Sequence, residues 1–255
     1  STRLCLLLLL VGVPALGLSV YASFRERRIE KRRLSEGSLA LASLAAANQE
    51  NFIRNTRQLF DTLDQFPFLL LSTNRAFSEA HLSNLRRLLP DYANFGLIET
   101  NGTVFCSAQA SPRAVYLGDR SYFKRALRSK GFSIGDFQVG RLSGVMGLNF
   151  GFPVLDGQGR VVRVLYASLK VSRIAEALRD IPLPEGQALT VLDQDGTVLA
   201  RQPDAEKWVG RPHPEAGALT HGVSHQGGLL ETPGPDGVPR LYAVRAVGGE
   251  QAPAM

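Results

Sequence analysis

Cysteine is scarce in this chain of 255 residues. Two occur, Cys5 and Cys106, too few for a disulfide framework or a four-cysteine zinc site. Common enzyme signatures are missing too: there is no P-loop, no HExxH, no GxSxG and no dinucleotide fingerprint after a strand. No collagen or heptad repeat runs through the chain. No catalytic residue, no metal site and no cofactor is expected. Hydrophobic residues make up 44% and charged residues 20%, which excludes wholesale disorder.

Most of the chain also lacks an excess of charge. The formal net charge is +6, but residues 1–33 hold seven basic residues (Arg3, Arg25, Arg27, Arg28, Lys31, Arg32, Arg33) against Glu26 and Glu30. Residues 34–255 hold 22 basic and 21 acidic residues. A nucleic-acid partner calls for a basic surface that neutralises phosphates. A nearly neutral body predicts no such partner.

The longest gap in charge runs from Leu4 to Phe24, LCLLLLLVGVPALGLSVYASF, 21 residues. At about 1.5 Å per residue, such a helix spans about 30 Å, the thickness of a bilayer core. A cleaved signal peptide ending near Val20-Tyr21-Ala22 is the alternative. The run exceeds the usual apolar core of about 7–15 residues in such signals, and a helical pattern continues out of it. An uncleaved membrane anchor over 1–24 is therefore expected, with Pro14 as a tolerated kink. The basic residues just past the span favour, by themselves, the cytoplasmic side for the body of the chain. The chain starts at Ser1 rather than Met, and upstream charges would alter that balance.

No proline interrupts the chain between Pro14 and Pro67. Leu34, Leu41, Leu44, Ala45, Phe52, Leu59 and Leu63 recur mostly at three-, four- or seven-residue steps, so 25–66 reads as one long helix. A second helix over 74–89 stops before Pro90. Beyond it the texture changes. Phe95–Glu99 and Thr103–Ser107 flank Asn101-Gly102, which predicts a hairpin with a two-residue turn. Residues 119–129 predict a helix with Asp119 as N-cap. Phe132–Val139, Gly147–Leu155 and Val161–Lys170 read as strands, and Val171–Arg179 as a short amphipathic helix.

The pattern then returns. "GLIETNGTVFCSA" and "LTVLDQDGTVLAR" share an apolar run, an acid, a turn with Gly and then Thr-Val. "FPVLDGQGRVVRVLYASL" has a fainter counterpart in "LETPGPDGVPRLYAVRAV", and Tyr116-Leu117-Gly118 is echoed by Trp208-Val209-Gly210. Two related α+β modules in tandem account for this. In the second, a Gly/Pro-rich loop over 210–228 is expected in place of the helix.

With "LGDRSYFKRAL", these stretches resemble a double-Cache sensor, the PAS-like extracytoplasmic region of many bacterial receptors. The resemblance covers nearly the whole chain. It implies an α+β fold: an N-terminal membrane helix over 1–24, a stalk helix and second helix over 25–90, a membrane-distal Cache module over 91–180, and a membrane-proximal one over 181–255, both with antiparallel sheets. It implies the cytoplasmic (inner) membrane as location, with the sensor modules periplasmic, and a homodimer through the stalk helices. It further implies that the chain is part of a longer receptor, ending near or before the last strand of the proximal module. The cytoplasmic output it implies is a histidine kinase first, a diguanylate cyclase second and a chemoreceptor third. A ligand-free dimerisation or interaction module is the alternative from another class.

The resemblance also places a small ligand on the distal module, between sheet and covering helix. Arg120-Ser121-Tyr122-Phe123 resembles the family's Arg-x-aromatic-aromatic signature. Arg120 offers a bidentate fork for a carboxylate; Tyr122 and Phe123 offer a flat apolar wall with one hydroxyl. Asp119 either caps the helix or receives a ligand amine. Phe137, Arg141 and Asn149 lie where strands and loop face the helix. The competing reading makes Tyr122, Phe123 and Leu127 the core face of an amphipathic helix, with Arg120 and Lys124 solvated. Amino-acid-binding members carry a Tyr five residues before the Arg, a Trp at the first aromatic position and a downstream Asp. Here Val115 stands at the first place, Tyr122 at the second, and no Asp occurs between Asp136 and Asp156. The expected ligand is a small molecule, with preference for a carboxylate over an α-amino acid.

Other motifs read as structural. His221-x-x-x-His225, near His213, has metal-ligand spacing, but its glycines argue for a solvated loop. Asn101-Gly102-Thr103 fits a glycosylation acceptor and is already explained as a turn. Cys106 reads as a small strand residue, and Gly248-Gly249-Glu250 is too short to name an activity.

Overall fold

The structure is a computed structural model. It describes residues 2–111, 113–193, 195–221, 227–234 and 237–247, without the side chains of 2–24, 27, 28, 220 and 221. The expected membrane anchor thus falls on residues whose side chains are not described. Among the described residues, no helix is long and apolar enough to cross a membrane. His225 and Gly248-Gly249-Glu250 also lie outside the described residues, as does the His221 side chain.

Helix α1 runs from Thr2 to Asp64. Between Pro14 and Pro67 every residue can donate its backbone N–H to the helix. The chain turns at Gln65-Phe66 into α2 (Pro67–Leu70), which starts on the proline. In α3 (Arg75–Leu88), Asn74 accepts from the Phe77 N–H at 3.1 Å as N-cap, and Arg86 and Arg87 occupy the last turn.

A five-stranded antiparallel sheet comes next, built from β1 (Tyr92–Glu99), β2 (Val104–Ser107), β3 (Ser133–Val139), β4 (Met146–Leu155) and β5 (Val161–Lys170). The order is β2-β1-β5-β4-β3. Side chains alternate across it. Phe95, Leu97, Phe150, Leu165, Ala167 and Leu169 face one way and pack with Phe60 and Leu63 of α1, Leu69 and Leu70 of α2 and Leu82 of α3. Phe60 is fully buried, with its ring centroid 5.8 Å from Phe152 and 6.0 Å from Phe132. The other face carries Ile98, Val164 and Tyr166 against Tyr122, Phe123 and Ala126 of α4 (Ser121–Ser129).

Helix α5 (Val171–Arg179) leaves the sheet directly from β5. Its Ile174 and Leu178 join Leu41 and Ala45 of α1 in a second core with Leu189 of β6 (Leu189–Leu192) and Ala200 of β7 (Val198–Gln202). Then come α6 (Ala205–Trp208), α7 (Ala216–His221) and the antiparallel hairpin of β8 (Gly228–Pro233) and β9 (Pro239–Val244). Lys31 pairs with Glu231 at 2.5 Å, and the Arg245 Nε donates to Ser43 Oγ at 3.0 Å, which tie this hairpin to α1.

The β1-β2 and β6-β7 hairpins share one hydrogen-bond pattern. The N–H of Glu99 reaches the Thr103 carbonyl at 2.8 Å, and that of Gly102 reaches Glu99 at 2.8 Å. Asp193 and Thr197 do the same at 3.0 Å, and Gly196 and Asp193 at 3.1 Å. Both loops therefore have three residues, not two. A left-handed glycine closes each one, Gly102 at φ +89° and Gly196 at φ +79°. Asn101 has no positive φ, so the expected two-residue turn does not form.

The same correspondence runs on. The N–H of Leu117 donates to Gly102 and that of His213 to Gly196, both at 2.8 Å; that of Arg120 donates to Leu117 at 3.1 Å and that of Ala216 to His213 at 3.0 Å. The partner of Tyr116-Leu117 is thus Pro212-His213, not the expected Trp208-Val209. The expected helix-free loop is also corrected: α7 starts where α4 would, in a stretch, AGALTH, free of proline.

Candidate functional site

Between the α4 face of the sheet and the loop after β3 lies a small cleft, partly open to solvent. Its floor comes from strand register. Asn94 on β1 pairs with Ser168 on β5, which pairs with Asn149 on β4, so three polar side chains form one row across the central strands. They are 2%, 3% and 4% exposed. Buried polar groups need partners. Asn94 has them: its Nδ2 donates to Ser107 Oγ at 2.9 Å and to the Tyr166 hydroxyl at 3.0 Å, and its Oδ1 accepts from the N–H groups of Phe95 at 3.0 Å and Gln109 at 3.2 Å. Asn149 makes one long bond, Nδ2 to the Gly147 carbonyl at 3.3 Å. Ser168 Oγ, fully buried, has no hydrogen-bond partner among the described residues.

Tyr166, in the next row, lies between Gly96 and Gly151 on its two neighbours. A Cβ on Gly96 would stand 2.4 Å from Tyr166 Cε1, so only glycine lets the ring lie across β1. Desolvation raises the Tyr166 and Tyr122 hydroxyl pKa values far above the ordinary range, and both stay protonated.

The mouth is charged. Arg120 and Tyr122 of the α4 start line it, as do Arg141 and Ser143 of the loop. Arg120 is the N-cap position of α4 and donates to Gln138 Oε1 and, at 3.4 Å, to the Val139 carbonyl. The expected N-cap role of Asp119 is not what the structure shows. The Asp119 carboxylate instead accepts two bonds from the Arg141 fork, at 2.6 and 2.7 Å. Those bonds, above all, hold Asp119 below the usual carboxylate range. Arg141 Nη1 also reaches the Tyr116 carbonyl at 2.6 Å, which fixes the loop to the chain before α4.

Of the residues singled out in the sequence, Arg120, Tyr122, Arg141 and Asn149 meet at this cleft. Asp119 stands beside it through Arg141. Phe123 is buried in the α4 core, and Phe137 is half-buried on β3 outside the lining, where its neighbour Gln138 takes the place. Sequence reasoning missed Asn94, Ser168 and Tyr166. A signal was there: each interrupts an apolar strand, in YANFGLIE and VVRVLYASLK, where an unpaired polar group is costly.

Elsewhere, His213 is buried beside Glu215, with Nδ1 3.1 Å from the Glu215 carboxylate and its ring stacked on Trp208. Among the described residues no group of acids, cysteines and histidines could hold a metal ion. Cys106 is a buried free thiol, its pKa pushed up to about 12 by burial, inert rather than reactive.

The model of the Cache domain family matches residues 27–247 of the chain. No curated protein matches it. Among solved structures, the extracellular domain of rpHK1S-Z16, a protein assigned as a histidine kinase, is similar at 19% identity and a TM-score of 0.70, covering 86% of this chain and 90% of that one. The ligand-binding domain of the Pseudomonas aeruginosa PAO1 amino acid chemoreceptor PctC, in complex with GABA, is similar at 19% identity and a TM-score of 0.63, covering 85% and 95%. That of the Pseudomonas fluorescens chemoreceptor CtaA, in complex with L-serine, is similar at 15% identity and a TM-score of 0.60, covering 80% and 87%. At these identities the likeness is one of fold.

Proposed function

The chain belongs to the Cache domain family, and on that premise we propose that it is the extracytoplasmic, ligand-sensing region of a membrane-bound signal-transduction receptor. The observation that carries this reading is the cleft: a buried polar row with an unpartnered Ser168 Oγ under a mouth that presents Arg120. A binding-competent site is concave, largely formed in advance and furnished with a few convergent polar groups. The fold likeness to ligand-binding domains of chemoreceptors and to a histidine-kinase extracellular domain supports the same reading.

The domain plan is that of the sequence: an anchor over 1–24, helices over 25–90, a distal module over 91–180 and a proximal one over 181–255. The common hydrogen-bond pattern of the two hairpins supports a tandem of related Cache modules. The uncharged run Leu4–Phe24 supports the anchor. α1 is then a stalk through which two copies pair, and the preferred output is a histidine kinase, ahead of a diguanylate cyclase or chemoreceptor. A ligand acting on the Asn94–Ser168–Asn149 row pushes on the same strands whose opposite faces, Phe95, Ala167 and Phe150, pack in the core that includes Phe60 of α1. That coupling biases one packing of the stalk over another.

Thermal-shift screening of the chain in detergent with carboxylates, amino acids and purines tests the reading. One compound class should raise the melting temperature of the wild type and fail to do so in Arg120→Ala, since ligand at about 100 Kd adds about 2.7 kcal/mol. If no class shifts it, and Arg120→Ala leaves signalling intact in cells, the chain is a ligand-free interaction module instead.

A further inference from the structure

We infer that the cleft selects small carboxylates that carry a neutral oxygen where an α-amino acid carries its ammonium group. The inference rests on the sensing role proposed above and deepens it. Its basis is the distribution of charge around the cleft.

Among the described residues, Arg120 makes no direct ion pair. Its guanidinium meets a side-chain amide oxygen and a backbone carbonyl. A carboxylate arriving there replaces neutral acceptors with a charged, bidentate one. The opposite holds for a cation. The lining contains two arginines and no aspartate or glutamate. Asp119, the nearest acid, has both oxygens taken by Arg141 at 2.6 and 2.7 Å. An ammonium group entering the cleft sheds water, finds no free anion and faces the Arg120 guanidinium.

The floor favours a neutral oxygen. Ser168 Oγ has an O–H to donate and lone pairs to accept with, and no present partner. Among the described residues, Asn149 beside it makes one long bond. A hydroxyl or keto oxygen satisfies Ser168 without bringing charge into a buried row. Satisfying a buried orphan group while leaving none on the ligand is how polar sites discriminate strongly.

Calorimetric titration of the full chain in detergent with isosteric pairs tests this: L-lactate against L-alanine, and L-2-hydroxyisocaproate against L-leucine. The hydroxy acid of at least one pair should bind about 10-fold tighter or more than its amino acid. In Arg141→Ala, which frees Asp119 and also removes the bond to the Tyr116 carbonyl, the amino acid should gain affinity and the ratio shrink. Amino acids binding as tightly as hydroxy acids in the wild type overturn the inference and leave the sensing role standing. Binding confined to purines does the same. A ratio unchanged in Arg141→Ala overturns the part assigned to Asp119. Silence of every compound in the pairs and in the wider panel overturns both readings.

Discussion

Arg163 offers a prediction that can be worked through in full. It interrupts the apolar run VVRVLYASLK of β5 and, by strand alternation, points to the helical side of the sheet. It is 9% exposed. Its Nη1 donates to the carbonyls of Leu70 at 3.0 Å and Ser72 at 2.7 Å, its Nε reaches Glu99 at 3.1 Å, and its guanidinium lies 3.7 Å from the Phe105 ring centroid. It therefore clamps the end of α2 onto β5 and β1. Glu99 is partly solvated, so that pair contributes little. The two carbonyl bonds come from a charged donor, each worth about 1.5–3 kcal/mol and less than additive together, and the ring contact adds about 1 kcal/mol. Arg163→Ala should cost about 3 kcal/mol. At about 2–4 °C per kcal/mol for a chain of this size, that lowers the melting temperature by about 6–12 °C in far-ultraviolet circular dichroism. Arg163→Lys, which keeps the charge and loses the fork, should fall between. A melting temperature for Arg163→Ala within about 1 °C of wild type would refute the reasoning, because largely buried charge-assisted bonds cannot vanish at no cost.

Two further predictions concern other parts of the chain. Gly96→Ala places a Cβ 2.4 Å from Tyr166 Cε1 and 2.7 Å from the Cys106 carbonyl, and the forced shift should cost about 1–3 kcal/mol in urea denaturation; equal stability would show that β1 and Tyr166 adapt freely. Burial holds His213 below its ordinary value near 6.5, with Glu215 opposing the shift and Arg201 adding to it. The unfolded chain then takes up the proton first, so stability is lost as pH falls through 6.5 and levels off below the folded value. The melting midpoint followed by Trp208 fluorescence should therefore drop between pH 7.5 and 5.5, and His213→Gln should flatten the dependence; a wild-type midpoint indifferent to this window contradicts the burial argument.

How much of the molecule was legible depended on distance along the chain. Strands β3, β4 and β5 and helices α3 and α5 were readable because their determinants are local: runs and alternations of apolar residues, and Pro90 after a helix. The hairpin loops were placed correctly but counted wrongly. Asn101-Gly102 allows a two-residue turn, while the pairing of Glu99 with Thr103 selects three. The exchange of Asp119 from helix cap to partner of Arg141 spans 22 residues and depends on where the loop after β3 settles, which no local pattern records. The same holds for the site. Arg120, Tyr122 and Asn149 stood out through the resemblance to the Cache family, but the row of Asn94, Ser168 and Asn149 exists only once register aligns three strands. Leu117 and His213 show the point again: dissimilar residues take equivalent places because their backbones accept and donate the same bonds.

The central claim is that the distal cleft binds a small ligand through Arg120. Its most direct test is calorimetric titration of wild type and Arg120→Ala with the compound that raises the wild-type melting temperature most. The account predicts one site per chain in the wild type and affinity lowered by about 10-fold or more in Arg120→Ala, with the fold retained by circular dichroism. Equal affinity and stoichiometry in the two proteins would contradict it.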